Sequence, residues 1–366
     1  MHPAWIEIDL AQFQRNLNAI RRRIGASLLC LTVKANAYGH GLVPMSLAGE
    51  KMGVDQLAVS CVDEGALLRR SGVRCPILVL GAVHEDQVGA ILDYELECSI
   101  SSQMKARFMA QACEVRKKSC IVHLEVDTGM RRTGMRPETA LKVFDEMRSQ
   151  ACFQIKGIYS HFASADRAQH PFAIEQIRAF EALQRQFGKA GEGLLWHLAG
   201  SGGVAFYPQS HFNMVRPGLL CYGLMPDGSS DPEIRPCLSL KAKVSYFKGV
   251  AAGCGVSYDH LYTTKENTRI VTVPVGYGDG FPKSLSNKAP VLLRGARQRV
   301  AGSICMDQFM VDLGAKGVGY VGDEVTLIGR AGSEEVSLWE LARLAGTDPR
   351  ELLCHFSERI ERRYFS

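Results

Sequence analysis

Eight short apolar runs between residue 28 and about residue 222 alternate with segments that have helical periodicity. This order is the signature of a parallel α/β unit that is repeated many times along the chain. The predicted strands are Leu28 to Val33, Gln56 to Ser60, Ile77 to Leu80, Glu97 to Ile100, Ile121 to Val126, Ile155 to Ser160, Leu194 to Leu198 and Phe212 to Val215. Eight parallel strands with helices between them predict a closed (β/α)8 barrel, the TIM barrel.

After about residue 235 the pattern changes to short β-branched runs separated by Gly, Asp and Pro, which predicts a mostly-β domain. Its predicted strands are Leu238 to Phe247, Arg269 to Val275, Ala289 to Leu293, Arg297 to Ala301, Gln308 to Asp312 and Glu324 to Ile328. Capping patterns at Ser337 and Asp348 predict two late helices. We therefore expect a barrel domain over residues 1–234 and a C-terminal β domain over residues 235–366. A first strand at about residues 3–10 is a candidate to pair with the second domain.

Composition excludes several classes of partner. The net charge of +5 comes from 43 basic and 38 acidic residues that are spread along the chain, so we expect no nucleic-acid partner. No apolar run reaches the roughly 18 residues of a membrane span, and the N-terminal segment lacks the features of a signal peptide. The 12 cysteines are scattered, with no C-x-x-C pair and no zinc-ligand spacing. A cytoplasmic, metal-free protein that binds no membrane is the expectation.

Lys34 stands at the end of the first predicted strand, within LLCLTVKANAYGHG. Active sites of α/β barrels lie where the strands end, and a desolvated lysine there can form a Schiff base with an aldehyde. The small residues after Lys34 leave room for a cofactor. The pattern alone also fits a lysine whose stem is buried and whose ammonium group is in water, followed by glycines that simply turn the chain.

Other residues with useful chemistry follow the later strands of the predicted barrel. They are Tyr38, Arg132, His161, Ser201 and Arg216. A serine among glycines at a strand end suits a phosphate group. From sequence alone, however, a solvated basic loop is the commoner explanation of Arg132, and a plain Arg-Pro-Gly turn is the commoner explanation of Arg216. His161 also fits a hydrogen-bonded neutral ring.

The motifs VKANAYGHG, DTGMRRTG, MVRPGLLCYG, GVSYDHLYTT, ICMDQ and ERIERRYFS resemble, in order, those of the alanine racemase family, and the resemblance extends from AWIEIDL to the C-terminal ERRY. This family consists of fold-type III enzymes that depend on pyridoxal 5'-phosphate. The resemblance implies an isomerase that interconverts L-alanine and D-alanine and supplies D-alanine for peptidoglycan. It also implies a small amino-acid substrate and a homodimer with shared active sites.

The resemblance also implies a role for each matching residue. Lys34 and Tyr258 would be the two catalytic bases, on opposite faces of the substrate Cα, with the tyrosine coming from the partner subunit. Arg132 and the Met306 backbone N–H would bind the substrate carboxylate, and Asp307 would line the access channel. The cofactor contacts would be Lys34, Tyr38, His161, Ser201, Arg216, Gly218, Leu219 and Tyr364.

Three positions depart from the family pattern. Glu125 stands where many members have a lysine that becomes carbamylated, and we hypothesise that its carboxylate replaces the carbamate and orients Arg132. Gly200 stands where the family usually has an asparagine, and Asp259 where a glycine is usual.

Two other functions are compatible with this fold. One is a different reaction, such as racemisation of serine or a decarboxylation. An arginine beside the pyridine nitrogen would leave that nitrogen largely unprotonated, which favours racemisation over transamination. The other is a non-catalytic cofactor carrier. Such carriers lack a second β domain, so the segment that holds Tyr258 and Met306 argues against this alternative.

Overall fold

The computed structural model describes residues 3–366, and the chain forms two compact units. The barrel unit is Phe13–Arg235, and the β unit combines the N-terminal segment up to Gln12 with Pro236–Ser366. Strand β1 (Ala4–Asp9) belongs to the β unit. The main break in the chain therefore falls between Arg235 and Pro236, one residue after the boundary expected from the sequence.

The barrel unit contains an eight-stranded parallel sheet, which confirms the predicted TIM barrel. Its strands are β2 (Leu28–Thr32), β3 (Gln56–Val59), β4 (Ile77–Val79), β5 (Glu97–Ile100), β6 (Cys120–Glu125), β7 (Phe153–Tyr159), β8 (Leu195–His197) and β9 (Met214–Val215). They pair in the order β8-β7-β6-β5-β4-β3-β2-β9. Beside β8 and β9, the Arg216 N–H donates to the Ala199 carbonyl (2.8 Å) and brings the two ends of the sheet together.

Nine helices are described before Arg235 in residues 3–366, and the first of them begins in the last residues of the N-terminal segment. They are α1 (Leu10–Ile24), α2 (Lys34–Tyr38), α3 (Leu42–Lys51), α4 (Val62–Arg70), α5 (Val88–Asp93), α6 (Gln103–Arg116), α7 (Pro137–Arg148), α8 (Pro171–Phe187) and α9 (Ser201–Phe206). The starts of three helices are set by local residues: Ser102 caps α6 by accepting from the Lys105 N–H, and Pro137 and Pro171 open α7 and α8.

The β unit is built from strands of three sheets. These strands are β1 and β10 (Leu238–Lys243), β11 (Tyr246–Val250), β12 (Gly255–Val256), β13 (Tyr262–Thr263), β14 (Thr268–Val273), β15 (Pro290–Leu293), β16 (Ala296–Arg299), β17 (Phe309–Asp312), β18 (Glu324–Ala331), β19 (Glu334–Val336) and β20 (Glu361–Phe365). The largest sheet has the order β16-β15-β18-β10-β1-β20, in which β1 is antiparallel to β10 and parallel to β20. The helices α10 (Leu338–Ala345) and α11 (Pro349–His355) are capped by Ser337 and Asp348, as predicted.

One predicted element of the β unit is wrong. The run from Leu238 to Phe247 was expected to be a single strand, but it forms β10 and the start of β11, which lie in different sheets. The chain changes sheets at Val244, whose N–H donates to the Asp323 carbonyl, and Ser245, whose N–H donates to the Thr272 carbonyl. Because the alternation of apolar and polar residues continues through this point, the change of sheet could not be predicted from it.

Within the described part of the chain, no helix combines the length and the apolar composition that crossing a membrane requires.

Candidate active site

Lys34 lies directly after β2 and opens an unusual turn. The next four residues, Ala35, Asn36, Ala37 and Tyr38, have φ angles of 54°, 54°, 52° and 52°, so the chain makes a left-handed turn. This conformation costs roughly 1–2 kcal/mol for each residue with a Cβ, although asparagine tolerates it better. Hydrogen bonds hold it in place: the Ala37 N–H donates to the Val33 carbonyl (2.8 Å), and the Asn36 Oδ1 accepts from the Leu42 N–H (2.6 Å). The backbone beside Lys34 is therefore fixed.

Arg216 follows β9, which pairs with β2, so it stands at the same end of the barrel as Lys34. Its side chain is buried, and its two terminal nitrogens are bonded within the barrel. Nη1 donates to the His197 ring Nδ1 (2.7 Å) and carbonyl (2.8 Å), and Nη2 donates to the Ser160 carbonyl (2.7 Å). The guanidinium carbon lies 4.9 Å from the centre of the Tyr159 ring. These contacts fix both the position and the plane of the guanidinium.

His161 follows β7 and has its Nδ1 3.4 Å from Arg216 Nη2. Burial, together with the positive charges of Arg216, Arg132 and Lys34, lowers the pKa of His161 to about 3. The ring is therefore neutral at physiological pH, and a neutral ring can accept a hydrogen bond or lie flat against another ring. Because all three positive charges affect the pKa of His161, the side chains of Arg216, Arg132 and Lys34 lie near this ring.

Ser201 and Gly218 form a polar cradle at this end of the barrel. The Ser201 Oγ accepts hydrogen bonds from the backbone N–H groups of Gly218 and Leu220 (both 3.1 Å). A Cβ atom on Gly218 would lie 2.3 Å from the Tyr38 hydroxyl oxygen, so only glycine leaves space for that hydroxyl. Hydroxyl and backbone N–H groups can donate hydrogen bonds to a phosphate. The neutral imidazole of His161 and the guanidinium of Arg216 can contact an aromatic ring that carries a nitrogen. These residues therefore fit pyridoxal 5'-phosphate.

Arg132 is exposed in the loop that follows β6. Asp127 shapes that loop, because its Oδ1 accepts from the N–H groups of Gly129 (2.8 Å) and Arg131 (3.0 Å). Glu125, at the end of β6, is buried and accepts a 2.5 Å hydrogen bond from the Thr133 hydroxyl, a contact that the sequence did not indicate. Burial raises the pKa of Glu125, while the Thr133 hydrogen bond and the charge of Arg132 oppose this rise. The charge of Arg132 therefore reaches Glu125, and the Thr133 hydroxyl donates to the Glu125 carboxylate; that Glu125 orients Arg132 stays a prediction.

The remaining predicted site residues belong to the β unit. Tyr258 begins a short 3₁₀ turn, Tyr258–His260, and its side chain is 64% exposed. The Ser257 hydroxyl, next to it, donates to the Ser303 carbonyl (2.6 Å), which ties this turn to the loop that carries Met306. Asp259 has a φ of 57°, a conformation that favours glycine but that aspartate tolerates.

Met306 and Asp307 are exposed in the same loop of the β unit. Asp307 accepts a 2.8 Å ion-pair hydrogen bond from Arg359. Tyr364 lies in β20 and is half-buried, and this burial raises the pKa of its phenol.

Sequence reasoning missed two buried histidines and a buried glutamate inside the barrel. His197 contacts Arg216, His123 contacts His197 (2.9 Å), and Glu97 contacts His123 (2.9 Å). A signal was present: Glu97 begins an apolar strand, His123 interrupts one and His197 ends one, and an unpaired polar group at such a position would be costly.

Comparison with known proteins identifies a family. Residues 8–226 match the family described as "Alanine racemase, N-terminal domain", and residues 237–364 match "Alanine racemase, C-terminal domain". A relative from Symbiobacterium thermophilum named alanine racemase is 39% identical, with 100% of this chain and 97% of the relative covered. One from Halothermothrix orenii with the same name is 36% identical, with 99% and 97% covered.

Solved structures are similar over the same length. An alanine racemase from Clostridium difficile 630 aligns with a TM-score of 0.94 and 33% identity, and the alignment covers 100% of this chain and 96% of that one. An alanine racemase from Streptomyces lavendulae, a D-cycloserine producer, aligns with a TM-score of 0.94 and 32% identity, over 100% and 98% of the two chains.

The substitution Gly218→Ala should weaken cofactor binding, because the new methyl group displaces the Tyr38 hydroxyl from the cradle. We expect the Kd for pyridoxal 5'-phosphate to rise about tenfold, in line with the loss of one good hydrogen bond to a charged group. Titration of the apoprotein, followed by fluorescence, measures this. Gly249→Ala is the matched control, since a Cβ there meets no atom within 4 Å. Equal affinities in the two variants would contradict this role for the cradle.

The substitution Glu125→Gln should lower kcat/KM for alanine about tenfold, since the amide can still accept from Thr133 but no longer carries charge beside Arg132. Because the pKa of Glu125 is raised, the wild type should lose this contribution at a higher pH than an ordinary glutamate would, and the variant should lack that acidic limb. Steady-state kinetics against pH measure both effects. The exposed Glu114→Gln is the control, and unchanged turnover in Glu125→Gln would reject the hypothesis.

Proposed function

This chain belongs to the alanine racemase family, and from that premise we propose that it interconverts L-alanine and D-alanine by a two-base mechanism. One observation carries the proposal: Lys34 and Arg216 stand at the ends of the paired strands β2 and β9. The charges of both, together with that of Arg132, act on the same histidine, His161. The D-alanine produced would serve as a building block of peptidoglycan.

Pyridoxal 5'-phosphate, when bound, supplies the electron-withdrawing ring that makes the Cα proton of an amino acid acidic enough to remove. Lys34 would hold it covalently, and Tyr38, Ser201, Gly218, Leu219 and Tyr364 would hold its phosphate. His161 and Arg216 would face its ring. Arg216 is a donor that stays protonated, so it offers a hydrogen bond to a ring nitrogen without transferring a proton.

Two residues would move the proton. Lys34 and Tyr258 would each remove or return a proton at the substrate Cα, on opposite faces, so that the product has the opposite hand. A phenol with an ordinary pKa of about 10 needs positive charge nearby to act as a base, and Arg216 is the candidate to provide it. His161 is neutral, so it can contribute a hydrogen bond but no charge.

Arg132 would hold the substrate in place. Its planar guanidinium can meet a carboxylate with two parallel hydrogen bonds and does not lose its charge. The Met306 backbone N–H would bind the same carboxylate, and Asp307 would line the access channel. Glu125 would orient Arg132 through its charge. With its carboxylate held, the substrate presents its Cα to both bases.

The active form would be a two-fold dimer with shared sites. Tyr258 supports this assembly, because its side chain is 64% exposed and a base must be enclosed with its substrate to work. In a two-fold dimer the same surface patch serves both protomers, so Tyr258 of each protomer would complete the site of its partner.

Circular dichroism tests the reaction and the roles of the two bases. The wild type should racemise both L-alanine and D-alanine, and L-serine and D-serine in parallel assays would show whether the substrate is a different small amino acid. Lys34→Ala should lose the visible absorbance of the bound cofactor, whereas Tyr258→Phe should keep it and lose racemisation. If Tyr258→Phe racemised alanine at full rate in both directions, the two-base mechanism would be wrong.

Mixed dimers test the shared site. When inactive Lys34→Ala and Tyr258→Phe chains are refolded together in equal amounts, about a quarter of wild-type activity should appear, because half of the dimers are mixed and each has one of its two sites intact. Each variant refolded alone is the control. Absence of recovery, with mixed dimers present by native mass spectrometry, would place both bases in one chain.

A further inference from the structure

A buried chain of side chains, here called the interior chain, connects the candidate site with the opposite end of the barrel. It consists of Arg216, His197, His123 and Glu97, and successive polar atoms are 2.7, 2.9 and 2.9 Å apart. Arg216 follows the end of β9, whereas Glu97 is the first residue of β5. All four side chains are buried. The chain therefore crosses the barrel from one end to the other.

The hydrogen bonds of the interior chain have one direction only. A guanidinium can only donate, so the Nδ1 of His197 must accept and carries no proton. A neutral His197 then has its proton on Nε2 and donates it to the Nδ1 of His123. By the same reasoning, His123 has its proton on Nε2 and donates it to Glu97.

The environment keeps both histidines neutral. Burial and the charge of Arg216 lower the pKa of His197 well below its ordinary value, and burial lowers the pKa of His123. An imidazolium at His197 would place a second donor against Arg216. The neutral Nε2–H form is therefore the one that this geometry accepts at both positions.

Glu97 ends the interior chain with a carboxylate that accepts from three donors. Its Oε2 accepts from His123 and from the Gln56 amide (2.6 Å), and its Oε1 accepts from the Lys156 ammonium. Although burial raises the pKa of Glu97, the hydrogen bonds and positive charge of these neighbours lower it overall. The carboxylate is therefore ionised and has no donor of its own.

We propose that Glu97 is a positioning residue for Arg216, acting through the tautomers of His123 and His197. Because Glu97 can only accept, it fixes the proton of each histidine on Nε2 and so keeps the Nδ1 of His197 open to Arg216. Arg216 then has both terminal nitrogens occupied inside the barrel, and among the described residues its Nε–H has no hydrogen-bond acceptor. The acceptor for this group is the cofactor's ring nitrogen, an assignment that rests on the proposed function.

Glu97→Gln should disturb the interior chain without changing its size. If the amide oxygen faces Lys156, the new N–H₂ group faces both His123 and Gln56, which are donors. The flipped amide would keep the oxygen toward His123 but would set the N–H₂ group against the Lys156 ammonium, a donor with a positive charge, so the first orientation is the one we expect. His123 can relieve the first conflict only by moving its proton to Nδ1, which passes the conflict to His197 and from there to Arg216.

Nitrogen NMR of the full-length protein with ¹⁵N-labelled histidine tests the proposal directly. His123 and His197, assigned by the single variants His123→Gln and His197→Gln, should both be Nε2–H tautomers in the wild type. In Glu97→Gln at least one of them should show the Nδ1–H form. A wild-type His123 or His197 that is protonated on Nδ1, or on both nitrogens, would overturn the proposal, even if Glu97→Gln does not fold.

Kinetics provide the second measurement. Glu97→Gln should lower kcat for alanine about tenfold and leave the KM within about twofold, since Arg132 and not Arg216 would bind the substrate. Cys98→Ala, a buried neighbour in the same strand, is the matched control and should leave both the tautomers and kcat unchanged. Unchanged tautomers in a folded Glu97→Gln variant would overturn the proposal, whatever its kcat. If the wild type failed to racemise alanine, the proposed function would be lost while the NMR result would still test the interior chain.

Discussion

The burial of one guanidinium is the constraint on which the rest of the site depends. Leaving a buried charge without partners is strongly destabilising, so Arg216 needs acceptors on several sides. They come from the residues around the ends of neighbouring strands: the Ser160 carbonyl after β7, and the ring and carbonyl of His197 in β8. Because a one-residue shift in pairing turns a side chain to the opposite face, His197 can reach Arg216 only in the observed register of β8. The fold and the site therefore specify each other.

Polar side chains inside the barrel are compatible with a stable fold only when all of them are hydrogen-bonded. Four polar side chains occupy interior positions where apolar side chains would need no hydrogen-bond partner. Each of them depends on a neighbour for its hydrogen bonds: Gln56, Glu97, His123 and His197. In a low-dielectric interior a satisfied network is rigid, and a partly satisfied one is worse than an apolar core. The polar side chains inside the barrel are thus held in one arrangement, and replacing any one of them would leave its neighbours without a hydrogen-bond partner.

The sequence predicted most of the architecture and the strand-end residues, because the apolar period and the position of each polar residue after a strand are local signals. It failed where the information is not local. The apolar run through Val244 hides a change of sheet, and nothing near Glu125 indicates that Thr133 is its hydrogen-bond partner. The link between His123 and His197 joins positions 74 residues apart, which only the closed barrel brings together. The roles taken from family resemblance, such as that of Tyr258, concern assembly and remain predictions.

The left-handed turn after Lys34 limits how this segment can vary. Each of the four residues from Ala35 to Tyr38 is held at a positive φ, where β-branched side chains collide with their own backbone. Many substitutions at these positions would therefore destabilise the backbone conformation, whether or not they also changed the chemistry of the site. Glycine would relieve the strain but would also free the chain beside Lys34. The unbranched side chains at these four positions keep the strain tolerable while the backbone still holds Lys34 in place, so few substitutions are acceptable in this stretch.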